Sequence, residues 1–422
     1  MILRTLVVLN TICFTICFAA ASAFGQQAPA AAPAPAIDVK LPEPYATPTV
    51  RNNSRGIGWP EGRTPTAPDG FRVTAFARDL VGVRWLYVLP NGDVAIARAR
   101  AFGGRRSGQR MPDQITLLRD ADHNGEAELR ETFLTPLNRP HGMLLVGDKF
   151  YVGNTDAVMA YPYQAGQTKI EATGEKILAL PSEGYNNHWT RNLLLSRDGK
   201  KLYISVGSGS NVAENGLENE VNRANILEAN LDGTGMRVFA AGLRNPVGMD
   251  WEPVTGALWT AVNERDELGD ELVPDYITSV QDGGFYGWPF SYFGKIEDPR
   301  LKGQRPDLVA KSIVPDVPMG AHTASLGLVF YRGDAFPEKY RGGAFVGQRG
   351  SWNRSKFAGY RVAFVPFKNG KPAGPPEDFL TGFIANEPDV YGRPVGVVVA
   401  PDGALLVADE IGGVIWRVAY SR

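Results

Sequence analysis

The chain has 422 residues, with 44 basic against 45 acidic side chains, 48 glycines and 31 prolines. The balanced charge argues against a nucleic-acid partner, which would need a basic face. The glycine and proline content suits many short strands joined by tight turns, and the length suffices for one large domain or two ordinary ones.

The first 23 residues read as a secretory signal. Arg4 supplies the positive charge, residues 6–20 are apolar, and Ala21, Ser22 and Ala23 form a small-residue cleavage site. An uncleaved anchor helix is the alternative, for which the apolar run is short. Cys13 and Cys17, the chain's 2 cysteines, both lie in this segment, and neither follows the small residue that a lipoprotein signal needs. A mature exported chain would therefore carry no disulfide, thiol nucleophile, c-type haem or Cys-ligated zinc. Secretion, most simply into a bacterial periplasm, is expected, with no transmembrane span in the mature chain. Residues 24–60 are rich in proline and alanine and read as a disordered tether. Ordered structure is expected from near Gly70.

From there one unit recurs: an apolar strand, a glycine-containing turn and a second apolar strand. It occurs at 89–96, 144–152, 195–204, 251–259, 342–346 and 399–407. The spacing is roughly 50–60 residues, with one gap of roughly 85, as in the blades of a propeller. Residues 61–422 are therefore expected to form an all-β, six-bladed β-propeller with four-stranded blades. Segments 73–76 and 414–418 are the candidates to share a closing blade. A pair of β-sandwiches is the alternative. The longer gap holds an insertion, about residues 281–322, carrying Phe285, Tyr286, Trp288, Phe290, Tyr292 and Phe293. Such an insertion is expected on a binding face.

Three polar segments carry candidate chemistry. His188 follows Asn186 and Asn187 just before an apolar strand. There a neutral imidazole can take the proton of a substrate hydroxyl as hydride leaves carbon. A structural histidine capping a loop is the alternative. Arg244 and Asn245 lie in Gly-Leu-Arg-Asn-Pro-Val-Gly, 242–248. There Pro246 breaks the strand, Gly248 allows close backbone approach, and a fixed cation could stabilise a developing oxyanion. A surface ion pair is the alternative. The acidic loop 263–271 contains Arg265, Asp266 and Glu267, a carbonyl- and carboxylate-rich segment for which a solvated acidic loop is the alternative.

These segments, with Gly-Gly-Phe-Tyr-Gly-Trp-Pro at 283–289, resemble the soluble glucose/sorbosone dehydrogenase family, which uses pyrroloquinoline quinone (PQQ). The resemblance runs from about residue 70 onward and is closest to the sorbosone branch. It implies oxidation of an aldose or sugar-derived aldehyde, with His188 as base and hydride passing to the quinone C5. Arg244 would stabilise charge there, and electrons would pass to an external quinone, cytochrome or dye. It implies Ca²⁺ held mainly by the backbone carbonyls of Arg265, Asp266 and Glu267, where the family usually has Gln-Gly-Pro. Asn245, Arg349, Arg393 and His322 are the implied cofactor contacts, His322 having a buried structural role as its alternative. At 392–397 the family's second arginine is Val395 and its aspartate is Gly396, so one cofactor-stacking cation is missing.

A second calcium loop is readable at 120–131, through Asp120, Asp122, Asn124, Glu126 and Glu131 with Gly125 at the sixth position. A plain Asn-Gly turn between strands is the alternative. Gly207-Ser208-Gly209-Ser210 lacks the strand-turn-helix context of a dinucleotide site. Two rivals stand beside the dehydrogenase: a calcium-dependent lactonase-type hydrolase, and a cofactor-free propeller that binds sugars or proteins.

Overall fold

The computed structural model describes residues 39–99 and 112–421. The expected signal segment 1–23 and the start of the tether, residues 24–38, lie outside the described residues. The protein is propeller-like: four-stranded antiparallel sheets carry nearly all of its regular structure, and its α-helix Pro306–Lys311 is a single short segment.

The sheets follow one another along the chain. The first runs Val83–Val88, Val94–Arg98, Gln114–Arg119 and Leu129–Leu134; the second runs Met143–Val146, Lys149–Gly153, Ala157–Pro162 and Glu175–Ala179. The third comprises Leu193–Leu195, Lys201–Val206, Asn225–Asn230 and Arg237–Ala241. The fourth comprises Pro246–Trp251, Leu258–Val262, Pro274–Ser279 and Val317–Ala321, and the fifth Ser325–Phe330, Ala344–Gln348, Arg361–Val365 and Glu377–Leu380. In the sixth, Pro394–Val399, Leu405–Asp409 and Val414–Tyr420 are completed by Phe71–Ala77, which pairs antiparallel with Val414–Tyr420. The two segments expected to share a blade therefore do pair. Each recurrent turn in the sequence falls between the first and second strands of one sheet. A strand with alternating apolar residues must bury one face, and here it does so against the neighbouring sheet.

The first strand of each sheet touches the first strand of the next, and that of the sixth touches that of the first. These strands lie close because small residues line them. A Cβ on Gly248 would meet the Leu326 carbonyl at 2.6 Å, and one on Gly327 would meet the Val395 carbonyl at 2.3 Å. The core lies between the sheets. Between the fifth and sixth it is aromatic: Phe345, Phe364, Phe379 and Trp416 are buried, and Phe71 meets Phe336, Tyr340 and Phe379 edge to face.

Three expectations need correction. Residues 39–60 are not a free tether where they are described. Trp59 packs on Trp416 with centroids 5.0 Å apart and donates from Nε1 to Asp409 at 2.6 Å. Arg55–Gly56 pairs with Asp389–Val390. An aromatic anchor and backbone pairing outweigh the extended bias of the Pro-rich composition. The insertion is shorter than 281–322, because Val317–Ala321 is the fourth strand of its sheet. Pro246 does not break a strand but begins one, where a missing N–H is tolerated.

Trp416 is fully buried. Trp416→Ala should cost about 3–5 kcal/mol of stability, seen as a lower urea midpoint with an unchanged slope.

Candidate active site

The first strands surround a cavity of about 250 Å³ lined by Arg84, Trp85, His141, His188, Trp189, Asn245, Asp266, His322, Arg349, Trp352 and Val395, among others. It therefore brings together five residues singled out in the sequence: His188, Asn245, Asp266, His322 and Arg349.

His188 stands on the loop entering the third sheet. Buried Arg191 holds that loop by donating to the carbonyls of His188 and Thr190, both at 2.9 Å, and of Pro181 at 2.7 Å. The His188 Nδ1 lies 2.9 Å from both the carbonyl and the hydroxyl oxygen of Ser208. The hydroxyl donates onward to the Ser210 carbonyl at 2.6 Å, so both oxygens accept from Nδ1. The proton therefore sits on Nδ1, and the Nε2 lone pair has no protein partner among the described residues. Burial, and then the Arg244 charge, push the imidazole down to about 3, so it is a neutral acceptor at ordinary pH. Gly207 makes this possible: a Cβ there would fall 2.4 Å from Asn245 Oδ1 and 2.5 Å from His188 Cβ. Glu220 fixes the same turn by accepting from the amides of Gly209 and Ser210 at 2.7 and 3.0 Å. The glycine-serine turn is thus the support of the base. Its pattern was visible in the sequence, but its role needs Glu220 beside it.

Arg244 does not face the cavity. Its five N–H groups are all engaged: with the Asn211 carbonyl at 3.1 Å, the Asn211 Oδ1 at 2.9 Å, the carbonyls of Asn263 and Glu264 at 3.2 and 2.5 Å, and Asp266 Oδ2 at 2.9 Å. With its side chain 1% exposed, it has no donor left for a quinone oxygen. The expected direct contact is corrected to an indirect one: Arg244 sets the loop that presents Asp266.

Asp266 also meets His322, whose Nδ1 lies 3.3 Å from Oδ1 while Nε2 lies 2.8 Å from the Gly269 carbonyl. Both ring nitrogens face acceptors, so His322 is an imidazolium. Burial lowers its pKa, but the bonds to Asp266 and Gly269 outweigh that and raise it. Burial likewise raises the Asp266 carboxyl, and Arg244 and His322 bring it below its usual value. His322 lines the cavity as a fixed cation and is spent as a base.

Two of the three backbone carbonyls expected to bind calcium, those of Arg265 and Asp266, accept hydrogen bonds within the protein. Those of Asn263 and Glu264 accept from Arg244, that of Arg265 accepts from the Val273 amide at 3.3 Å, and that of Asp266 accepts from Asn211 Nδ2 at 3.2 Å and from the Arg265 guanidinium. Arg265 turns inward to pair with buried Asp298. Arg265 and Glu267 line a different hollow, with Tyr45, Asn211 and Arg300. Of the three carbonyls expected at 265–267, that of Asp266 accepts from a guanidinium, which a calcium ion there would have to displace or share. The second expected loop, 120–131, connects two strands of the first sheet. Asp120, Asp122 and Glu128 gather there, but Glu131 is in the strand Leu129–Leu134. The Asp120 oxygens accept from the amides of Asn124 and Gly125 at 3.0 and 2.9 Å. This is a hydrogen-bonded turn rather than the expected ligand set, because a strand, unlike the helix of an EF-hand, carries the twelfth position away.

The cavity also has a cationic cluster. Arg84 and Arg349 line the cavity and both pair with buried Glu410, Arg349 Nε at 2.5 Å. Burial opposes ionisation of Glu410, yet Arg349 and Arg84 hold its carboxyl far below the usual range. Arg393 stands behind, its guanidinium 5.7 Å from the Tyr360 ring and bonded to Ser54, and it does not line the cavity. Sequence reasoning found Arg349 and missed Arg84 and Glu410, because an arginine in a strand and an acid in a turn carry no local signal.

The cluster exceeds its one glutamate in positive charge, and Arg84 Nε and Asn245 Oδ1 are buried without partners. Together with Trp85, Trp189 and Trp352, these groups fit a flat aromatic ligand bearing carboxylates. Comparison with known proteins bears on what that ligand is. The family profile of TrAA12-like proteins matches residues 65–278 and 306–421. The chain belongs to the TrAA12-like family. Among related proteins, the aldose sugar dehydrogenase YliI of Escherichia coli is 32% identical over 195 residues, 44% of this chain and 45% of that one. The fold is shared with the holo PQQ domain of pyranose dehydrogenase from Coprinopsis cinerea, at TM-score 0.70 and 21% identity, covering 86% of this chain and 99% of that one. It is also shared with a calcium structure of the Trichoderma reesei AA12 enzyme, at TM-score 0.71 and 20% identity over 88% and 99% of the two chains.

Two measurements test the electrostatics of this TrAA12-like site. Burial pushes His141 well below its usual value, as Arg84 and Arg191 do further, and His188 behaves alike. Both folded values lie below the unfolded value of about 6.5, so the stability from keeping these rings neutral is complete above about pH 6.5 and is lost as pH falls toward about 3. Urea midpoints measured from pH 7 to 4 should decline, with a shallower slope in His141→Gln. Arg265→Ala leaves Asp298 buried without its partner, and should cost about 3–5 kcal/mol by urea denaturation at pH 7.

Proposed function

We propose that this protein is a PQQ-dependent dehydrogenase of an aldose or sugar-derived aldehyde, exported from the cell, with its six sheets closed as the blades of one propeller. The observation that carries the reading is the His188 Nε2: a neutral acceptor without a partner among the described residues, in a cavity that is also lined by arginines and tryptophans.

Arg349 and Arg84 would hold the carboxylates of PQQ, with the tryptophans against its ring system. When bound, the cofactor supplies a quinone that accepts the hydride equivalent leaving the sugar carbon. His188 takes the hydroxyl proton at Nε2, and Ser208 keeps its ring in the tautomer that can do so. The imidazolium this creates lies in the field of Asp266, which Arg244 holds in place. Trp85, Trp189 and Val395 exclude water from the reacting centre, which strengthens each of these interactions. Electrons then leave to an external acceptor. Calcium is proposed as the second cofactor, by analogy with the Trichoderma structure, and it competes with Arg244 and Arg265 for the loop oxygens. The hydrolase alternative needs several carboxylates converging on an axial metal. Among the described residues Asp266 is the one carboxylate lining the cavity, and it is already bonded to two cations.

Titration of the purified protein with PQQ, with and without Ca²⁺, followed by quinone absorbance and dye reduction over a panel of aldoses and aldehydes, tests the reading. Saturable binding with turnover is expected. His188→Ala should lower kcat by about 10²–10⁴-fold while PQQ still binds. No binding at micromolar PQQ would refute it.

A further inference from the structure

Residues 39–60 and 279–305 fall outside the segments that match the family, and they meet beside the site. Val39 and Leu41 pack on Leu268, Leu272, Val273, Tyr292 and Phe293. From there the N-terminal segment follows the cavity's edge. The Tyr45 amide donates to the Leu268 carbonyl at 2.8 Å, and Thr47 Oγ1 accepts from the Asp270 amide at 2.7 Å. The segment then reaches Trp352, a wall of the cavity. The Asn52 amide donates to the Trp352 carbonyl at 2.8 Å, and the Arg51 guanidinium lies 5.3 Å from the Trp352 ring centre. Asn353 joins the two rims. Its Nδ2 donates to the Val50 carbonyl and its Oδ1 accepts from the Glu267 amide, each at 2.7 Å.

We propose that residues 45–54 form a strap that holds Trp352 as the sugar-facing wall of the cavity, so that the strap helps determine which sugar the site accepts. The proposal rests on the sugar dehydrogenase reading. Trp85 and Trp189 are buried, 7% and 5% exposed, whereas Trp352 is partly exposed and so lies where a substrate enters. An indole offers an apolar face to the C–H side of a sugar ring. Its orientation matters, and an unsupported loop would not fix it. Arg51 covers the ring, Asn52 fixes the backbone, and Asn353 sets the distance to the loop of Asp266. Arg51 and Asn353 are positioning residues, since they act through Trp352.

The test uses the full-length protein with Arg51→Ala, and Asn353→Asp as a second variant that keeps the side chain's size but places an oxygen against the Val50 carbonyl. The readouts are KM and kcat for the best sugar, the PQQ dissociation constant, and acrylamide quenching of Trp352, taken as the difference from Trp352→Phe in each background. Arg51→Ala should raise the sugar KM by about 5–10-fold, the scale of one aromatic contact. It should also make Trp352 more quenchable, with kcat within about twofold and PQQ affinity unchanged. Unchanged KM and quenching in an active enzyme would overturn the proposal, as would a rise in KM matched by an equal loss of PQQ affinity. Failure of the wild type to bind PQQ is a distinct result, which overturns the dehydrogenase reading and the sugar role together. Quenching then still reports whether the strap holds Trp352.

Discussion

The site depends on one buried guanidinium. Arg244 spends all five of its donors on Asn211, Asn263, Glu264 and Asp266, and so ties three loops into one body. A buried cation is tolerated only when it is fully bonded and paired. That requirement makes the loops converge rather than splay. Asp266 is fixed as a result, and through it His322 is held as an imidazolium. Burial keeps His188 neutral, and the Arg244 charge adds to that effect.

Charge is divided unevenly across the cavity. One wall has Arg84 and Arg349 sharing Glu410, with Arg393 nearby. The same cavity has a neutral histidine whose Nε2 lone pair has no partner among the described residues. A proton acceptor in a cavity with an excess of guanidinium groups suits a carboxylate-bearing ligand beside an oxidisable partner. Val395 lies in the wall with little exposure, and Arg84 lines the same cavity from a different sheet.

The family match covers the sheets and every residue that lines the cavity, and leaves out residues 39–60 and 279–305. The strap, anchored by Trp59 at one end and by the 268–273 cluster at the other, crosses loops of the fourth and fifth sheets. It is an addition laid over a shared scaffold, in the position where loops usually carry specificity.

The sequence by itself determined the repeat. Strand, glycine turn and strand recur because each sheet makes the same local hairpin, and local hairpins are written in adjacent residues. The resemblance also singled out His188, Asn245 and Arg349, and all three line the one cavity. Tertiary structure decided the rest. Arg244 was legible as a functional residue but not as one facing away from the cavity, because its direction is set by acceptors on loops 211 and 263–266. Arg265 reads as a calcium-loop position through the resemblance, while its pairing with Asp298, 33 residues away, has no local signal. Arg84 and Glu410 meet across 326 residues, and no local pattern announces such a pair. Residues 39–60 looked like a tether by composition, and only the aromatic cluster that receives Trp59 made them a strap. Periodicity fixes which elements form. Which buried charge meets which partner is fixed by how those elements pack.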